Sequence, residues 1–191
     1  VGVTPDSPVA FLQWHAATEE HLAQSGLPFT ILHPNYFMQN IFAFAPTIEK
    51  DGAFYATVKH GRAGMVDVRD IAAVAVGTLT GSGHEGKTYE ITGPETLSFA
   101  DAAARLSAAL GKPVRYVDVP RPALISALLG AGMPDWLANN LADLYDWMSG
   151  DGAGIVTDVV EKVGRKQPIS LDQFARDFRS AFETSAAAQQ E

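Results

Sequence analysis

The spacing of apolar positions changes along the chain, and the changes mark its elements. From Pro8 to just before Gly26, Phe11, Trp14, Leu22 and the alanines between them recur near every 3.6 positions, which predicts a helix. Ser7 is placed to cap it and Pro8 to sit at its first position, where a missing N–H costs nothing. Gly26 offers a left-handed stop, and Pro28 keeps the helix from resuming. Phe29-Thr-Ile-Leu is then a short unbroken apolar run, the pattern of a strand buried on both faces of a parallel sheet. His33-Pro-Asn-Tyr-Phe leaves that strand at its carboxyl end, where open α/β sheets gather their ligands.

The rest of the chain keeps alternating. Residues 38–50 predict a helix with Asn35 as a candidate cap, broken or kinked at Pro46 and ended by Asp51-Gly52. Residues 54–58 and 63–66 predict short strands around His60-Gly61, as a hairpin or an edge pair. Asp67 caps a predicted helix over 68–79, and residues 87–92 form a strand. Ser98 and Asp101 spell a capping box for a helix that runs to Leu110 and stops at Gly111. A further strand is predicted over 114–119. From Pro120 onward the pattern is helical, with segments over 123–129, 135–148, 159–163 and 171–182, the last opened by a second capping box, Ser170 to Gln173. The tail, 185–191, is expected to fray.

This order implies an α/β fold with mainly parallel strands over 1–119 and a mainly helical region over 120–184. At 191 residues the chain is long enough to bury a core. Asp and Glu outnumber Lys and Arg by 22 to 14, so the net charge is −8, which weighs against a nucleic-acid partner and against anionic membrane surfaces. No apolar run approaches the roughly 18 residues of a membrane span. The absence of cysteine rules out disulfides and thiolate metal sites and fits a cytoplasmic, reducing setting. The five histidines show no metal-ligand spacing. Gly150 to Gly154 is glycine-rich but follows a helix and makes a poor phosphate loop. Val1-Gly-Val reads as the end of a strand, so the chain is expected to start inside a larger protein.

Four segments carry a family resemblance: WHAATEEHL, SGLPFTILHPNYFMQN, MVDVRDIAAVAV and TYEITGPETLSF. Together they resemble the NmrA-like atypical short-chain dehydrogenase/reductases, nearest the triphenylmethane and quinone reductase subgroup, and the likeness extends to about Phe182. It implies a partial Rossmann-like parallel sheet followed by a helical substrate-side region. It also implies an oxidoreductase using NAD(P)(H) on a small apolar or quinone-like acceptor. Such proteins begin with a Gly-rich dinucleotide-binding half, and no such motif occurs here. Weak or absent cofactor binding by this chain alone is therefore expected, together with a homo-oligomer or a partner that supplies the missing half.

The resemblance also nominates residues. The usual Tyr-x-x-x-Lys pair falls on Phe11 and His15. Phe11 has no proton to give, so the common proton relay is absent. His15 and Glu19 lie one helical turn apart and are the catalytic candidates, the carboxylate orienting the imidazole. The alternative is a structural pair at a helix–sheet junction. His15, Pro34, Asn35 and Tyr36 are candidates to hold the nicotinamide end of the cofactor. Phe37, Asn40, Trp136 and Trp147 are candidates for an acceptor pocket; the aromatic face of the 133–148 segment could equally be core. His33 stands where the family more often has Arg, losing a permanent charge and a bidentate donor. Arg69 and Asp70 could be an acid–base pair, but Asp67 and Asp70 also suit the first turn of a helix. Two other functions remain open on this evidence: a non-catalytic sensor of NAD(P) or another ligand, and a shortened paralogue with a repurposed pocket.

Overall fold

The structure, a computed structural model, describes residues 1–150 and 152–183, so the tail expected to fray lies outside the described residues. Helix α1, Ala10–Gln24, leads to strand β1, Thr30–Pro34. Gly26, at φ +74°, makes the stop between them, a conformation that favours glycine. The cap differs from expectation. Val9 occupies the N-cap position, and Ser7 Oγ instead accepts from the Val9 N–H at 3.3 Å. Only Leu12 is buried on α1, and Trp14 is 55% exposed, so the predicted apolar face is not a core face. Val1 to Val3, read as a strand end, form no strand.

A 3-10 segment, Met38–Phe44, precedes α2, Ala45–Asp51. The helix expected over 38–50 is thus two pieces, divided just before Pro46, whose ring cannot sit inside a helix without a clash. Strands β2, Ala53–Ala56, and β3, Arg62–Ala63, follow, then α3, Val68–Thr80. Strands β4, Lys87–Ile91, and β5, Leu97–Ser98, precede α4, Phe99–Leu110, whose Ser98–Asp101 capping box is complete. Strand β6, Arg115–Asp118, opens the helical remainder: α5, Arg121–Gly130; α6, Asp135–Met148; α7, Val159–Lys162; and α8, Leu171–Asp177. A 3-10 turn, Arg179–Phe182, ends it. The second capping box is half formed. Ser170 Oγ accepts from the Gln173 N–H at 3.2 Å, while the Gln173 side chain donates to Asp177.

The strands pair non-locally. β1 runs parallel to β4, with Thr30 opposite Lys87 and Pro34 opposite Ile91. β2 runs parallel to β6, and β3 pairs antiparallel with β5. Residues 54–58 and 63–66, expected as a hairpin or an edge pair, therefore do not pair with each other, because each strand finds its partner far along the chain. Both parallel pairs need crossovers that carry helices, and helices do fill them, as an α/β fold requires.

The main core draws Phe54, Phe99 and Leu106 from the α/β part together with Leu124, Phe174 and Phe182 from the helical part, so the two parts share one interior. Phe42 sits 5.3 Å from the rings of both Phe174 and Phe178 and ties the 3-10 segment to α8. Burial of a ring such as Phe174 makes its loss to alanine cost about 3–5 kcal/mol. A smaller core under α3 joins Val66, Val74, Ile91 and Val160. Asp67 caps α3 by accepting from Arg69 N at 2.8 Å, and buried Asp70 holds Lys166 and the Ile169 N–H. Arg69 reaches Asp177 at 2.7 Å. These charges fasten α3 to the C-terminal helices, and Arg69 and Asp70 do not pair as acid and base.

Candidate functional site

Two helices and the end of a strand enclose a cavity of about 450 Å³. α1 contributes Phe11, His15 and Glu19; β1 and the turn after it contribute His33, Pro34, Asn35, Tyr36 and Phe37. α6 closes the far side with Leu144, Trp147 and Met148, and Asn40 stands at the edge. Nearly every residue nominated from sequence is therefore gathered in one place. A wider groove of about 870 Å³ along α4 and β6 lies open, walled by small residues of α4 together with Lys112, Arg115 and Tyr116, with none of those residues in it. Among the described residues no cluster of acidic, histidine or cysteine side chains could hold a metal ion.

Two expectations fail. The first is the His15–Glu19 pair. Glu19 Oε1 lies 2.6 Å from His33 Nε2, and His33 Nδ1 lies 2.9 Å from Glu90 Oε1. Glu19 thus turns away from its helical neighbour to a histidine on β1, and His15 is left exposed at the cavity wall. A buried imidazole between two carboxylates outcompetes a solvent-facing one as a partner, because water screens the exposed pair. The second is Trp136, which does not line the cavity. It is 56% exposed and packs against Trp14, ring centroids 6.3 Å apart.

Asn35 is a strut and caps no helix. It is buried, donates from Nδ2 to Ala153 O at 2.9 Å and accepts from Tyr36 N at 2.7 Å. Gly64 N also donates to Ala153 O, at 3.1 Å. The glycine-rich stretch around Ala153 is thus part of the site's frame. Gly152 packs flat on the Trp147 indole, where an added Cβ would lie 2.5 Å from the ring, and Gly2 abuts the same indole. Only residues without a side chain fit there, so the glycines fix the ring that forms the cavity's α6 wall.

The Tyr36 ring packs 5.5 Å from Phe99, and its buried hydroxyl has no hydrogen bond of good geometry. Burial, then the nearby Tyr145 hydroxyl, pushes its pKa well above that of an ordinary phenol. It stays protonated near neutrality and can act as a hydrogen-bond donor but not as a base. Sequence reasoning missed His33 as the partner of Glu19 and missed Ala153 altogether. The histidine replacing an expected arginine was the available signal for the first; the second left none.

Comparison with known proteins gives the family and the fold. The sequence profile of the NmrA-like family matches residues 6–172. An NAD(P)H azoreductase from Xenophilus azovorans is 40% identical over 182 residues, which is 95% of this chain and 64% of that protein. Quinone oxidoreductase 2 of Escherichia coli is 34% identical over 137 residues, or 72% of this chain and 48% of that protein. The crystal structure of the latter, an NADPH-dependent enzyme, superposes with a TM-score of 0.83 at 30% identity, covering 90% of this chain and 62% of that one. Triphenylmethane reductase from Citrobacter sp., in complex with NADP(H), shares the fold with a TM-score of 0.79 at 24% identity, over 88% of this chain and 60% of that one. The chain spans less than two thirds of the length of each of these relatives.

Proposed function

This chain belongs to the NmrA-like family, and from that premise we propose that its cavity is the nicotinamide and acceptor site of an NAD(P)H-dependent reductase of quinone-like or other delocalised aromatic acceptors. The observation that carries the reading is the convergence of Phe11, His15, Asn35, Tyr36 and Trp147 on one cavity at the carboxyl end of β1. Two relatives with whole-protein activities in this class, the azoreductase and the quinone oxidoreductase, support it.

The residues fit a nicotinamide. The cavity is of ligand-binding size, and Tyr36 in its wall carries a protonated hydroxyl, next to that of Tyr145, that would donate to a carboxamide or acceptor oxygen. When bound, the cofactor would supply a hydride. His15 would position its ribose, with Pro34, Asn35 and Tyr36 along the nicotinamide side. Phe37, Asn40 and Trp147 would hold the acceptor. Phe11, at the place of the usual tyrosine, donates no proton. A delocalised acceptor takes hydride into its ring system and its proton from water, so the site works mainly by holding two planar groups in contact. The Glu19–His33–Glu90 chain runs along one side of this cavity, with Glu19 and His33 in its wall, and ties α1 to β1 and β4.

The pyrophosphate and adenosine of the cofactor would be held by a Gly-rich strand–loop–helix unit, which these 191 residues do not contain. In this reading the unit lies elsewhere in the complete protein or comes from a partner chain, and cofactor binding by the chain alone is weak. No helix among the described residues is long and apolar enough to cross a membrane. The test is NADPH-dependent reduction of duroquinone by the complete protein. Asn35→Ala and His15→Ala should each lower kcat/KM, while Phe11→Tyr should change it little. If neither alanine variant changes kcat/KM, the assignment of these residues is wrong.

A further inference from the structure

Phe11 leaves the cavity without the usual proton donor, yet a quinone-like acceptor that has taken a hydride still needs a proton on oxygen. Glu19 on α1 and His33 on β1 both stand in the cavity wall, and a tie between two elements does not by itself call for ionisable groups. Glu19 Oε1 lies 2.6 Å from His33 Nε2, and Glu90 Oε1 lies 2.9 Å from His33 Nδ1. A carboxylate only accepts hydrogen bonds, and a neutral imidazole carries a single N–H. With an acid at each nitrogen, both bonds form only when the chain holds one further proton, on the imidazole or on a carboxyl group. That proton is held at the cavity and partly shielded: the His33 and Glu19 side chains are 10% and 26% exposed. The other oxygen of Glu90 faces the Val1 amino group at 3.4 Å. His15 and Tyr36 are the other titratable side chains in the wall. Burial pushes the Tyr36 hydroxyl well above an ordinary phenol, which makes it a poor source of a proton near neutrality.

We propose that Glu19, backed by His33 and Glu90, is the group in the cavity that gives the hydride-reduced acceptor its proton. The inference rests on the proposed function and adds the proton's route to it. The acceptor receives a hydride, with its two electrons, and becomes an anion on oxygen. The O–H bond of the Glu19 carboxyl breaks, and the proton bonds to that oxygen. The N–H of His33 then passes its proton to Glu19, and water restores the chain through its partly exposed acids, so the net source of the proton is still water. His33 and Glu90 act through Glu19 and are positioning residues. Histidine suits the place where arginine does not, because an imidazole takes up a proton at one nitrogen while releasing one at the other.

The test is NADPH-dependent turnover of two acceptors by the complete protein and its Glu19→Gln variant. Duroquinone takes a hydride and a proton; N-methylacridinium, a cation, takes a hydride on carbon and is neutral without one. Glutamine keeps the length of the side chain and a hydrogen bond to His33 but has no acid proton. The kcat ratio of duroquinone to acridinium should fall by about 100-fold in the variant, the low end of what a positioned acid contributes. A merely structural role lowers both rates together and leaves the ratio alone. A fall in the ratio of less than about tenfold overturns the inference and leaves the proposed function standing. If the parent reduces duroquinone alone, the solvent isotope effect on kcat in deuterium oxide decides: it must differ between parent and variant, and equal values overturn the inference. A parent that reduces the acridinium alone also overturns it, since no proton is then delivered. If the parent reduces neither acceptor, the proposed function fails, and the proton route with it.

Discussion

Glu19 and His33, 14 positions apart, meet with Oε1 and Nε2 at 2.6 Å. The contact joins α1 to β1 in the cavity wall itself. Glu90 takes the other ring nitrogen, so the imidazole bridges a helix and two paired strands. An arginine could form such a bridge with its fork of donors; histidine does it with two opposed nitrogens and less reach. His33→Ala removes the link and leaves two carboxylates facing each other across a partly buried gap. We expect a loss of about 1–2 kcal/mol in urea unfolding, discounted for the partial exposure of both acids. His15→Ala, on the exposed face, should change stability by less than about 0.5 kcal/mol. The reverse ranking would mean that Glu19 pairs with His15 after all.

Asp67 gives the fold a pH dependence. Burial alone would raise its carboxyl pKa, but hydrogen bonds and charge from Arg69 outweigh that and lower it below the ordinary value. A carboxylate with a depressed folded pKa contributes stability that is full above its unfolded pKa of about 3.9 and is lost as pH falls through the folded value. Asp67→Asn should cost about 2 kcal/mol near neutrality, for the weakened cap and the broken Arg69 pair. The gap between variant and parent should close as pH drops below about 4. Unfolding curves from pH 6 to pH 3 would show it, and a constant gap across that range would refute it.

Gly152→Ala should be disproportionately harmful for a loop position. The new methyl meets the Trp147 ring, so the indole must shift or the loop must open, at a cost of about 1–3 kcal/mol. Changed tryptophan emission together with weaker acceptor binding is the expected signature. Wild-type stability and emission would show that the loop yields freely.

Asn35→Ala tests the frame from the strand side. It removes the bonds to Ala153 O and Tyr36 N and leaves a buried amide N–H without its acceptor, which costs about 1–3 kcal/mol. Amide hydrogen exchange should speed up at Tyr36. Unchanged exchange at that position would relieve Asn35 of the role.

What the sequence disclosed depended on range. The capping box at Ser98 and Asp101, the stop at Gly111 and the span of α6 are set within a turn or two of chain, and the structure matches them. The partners of β2 and β3 are not legible in the sequence, because alternation over four or five residues reports a strand and says nothing of its partner; β2 pairs with β6, about 60 residues on. In the site, the loop after β1 was legible because position at a strand's carboxyl end is itself informative. Sequence spacing pairs Glu19 with His15 because a helical neighbour is visible in the chain, whereas its true partner, His33, is a tertiary neighbour and is not. Trp14 reads as part of one helix's apolar face and Trp136 as a pocket candidate on another, and only the fold brings them into contact at the surface.

The central claim is that the cavity itself takes the nicotinamide end of the cofactor. Backbone amide NMR shifts of the protein, titrated with reduced nicotinamide mononucleotide, test it most directly, because that fragment lacks the adenosine and pyrophosphate that other groups would hold. The account predicts saturable shifts at His15, Asn35, Tyr36 and the Trp147 indole N–H, and none along the α4–β6 groove. Shifts confined to that groove, or none at saturating concentrations of the fragment, would contradict it.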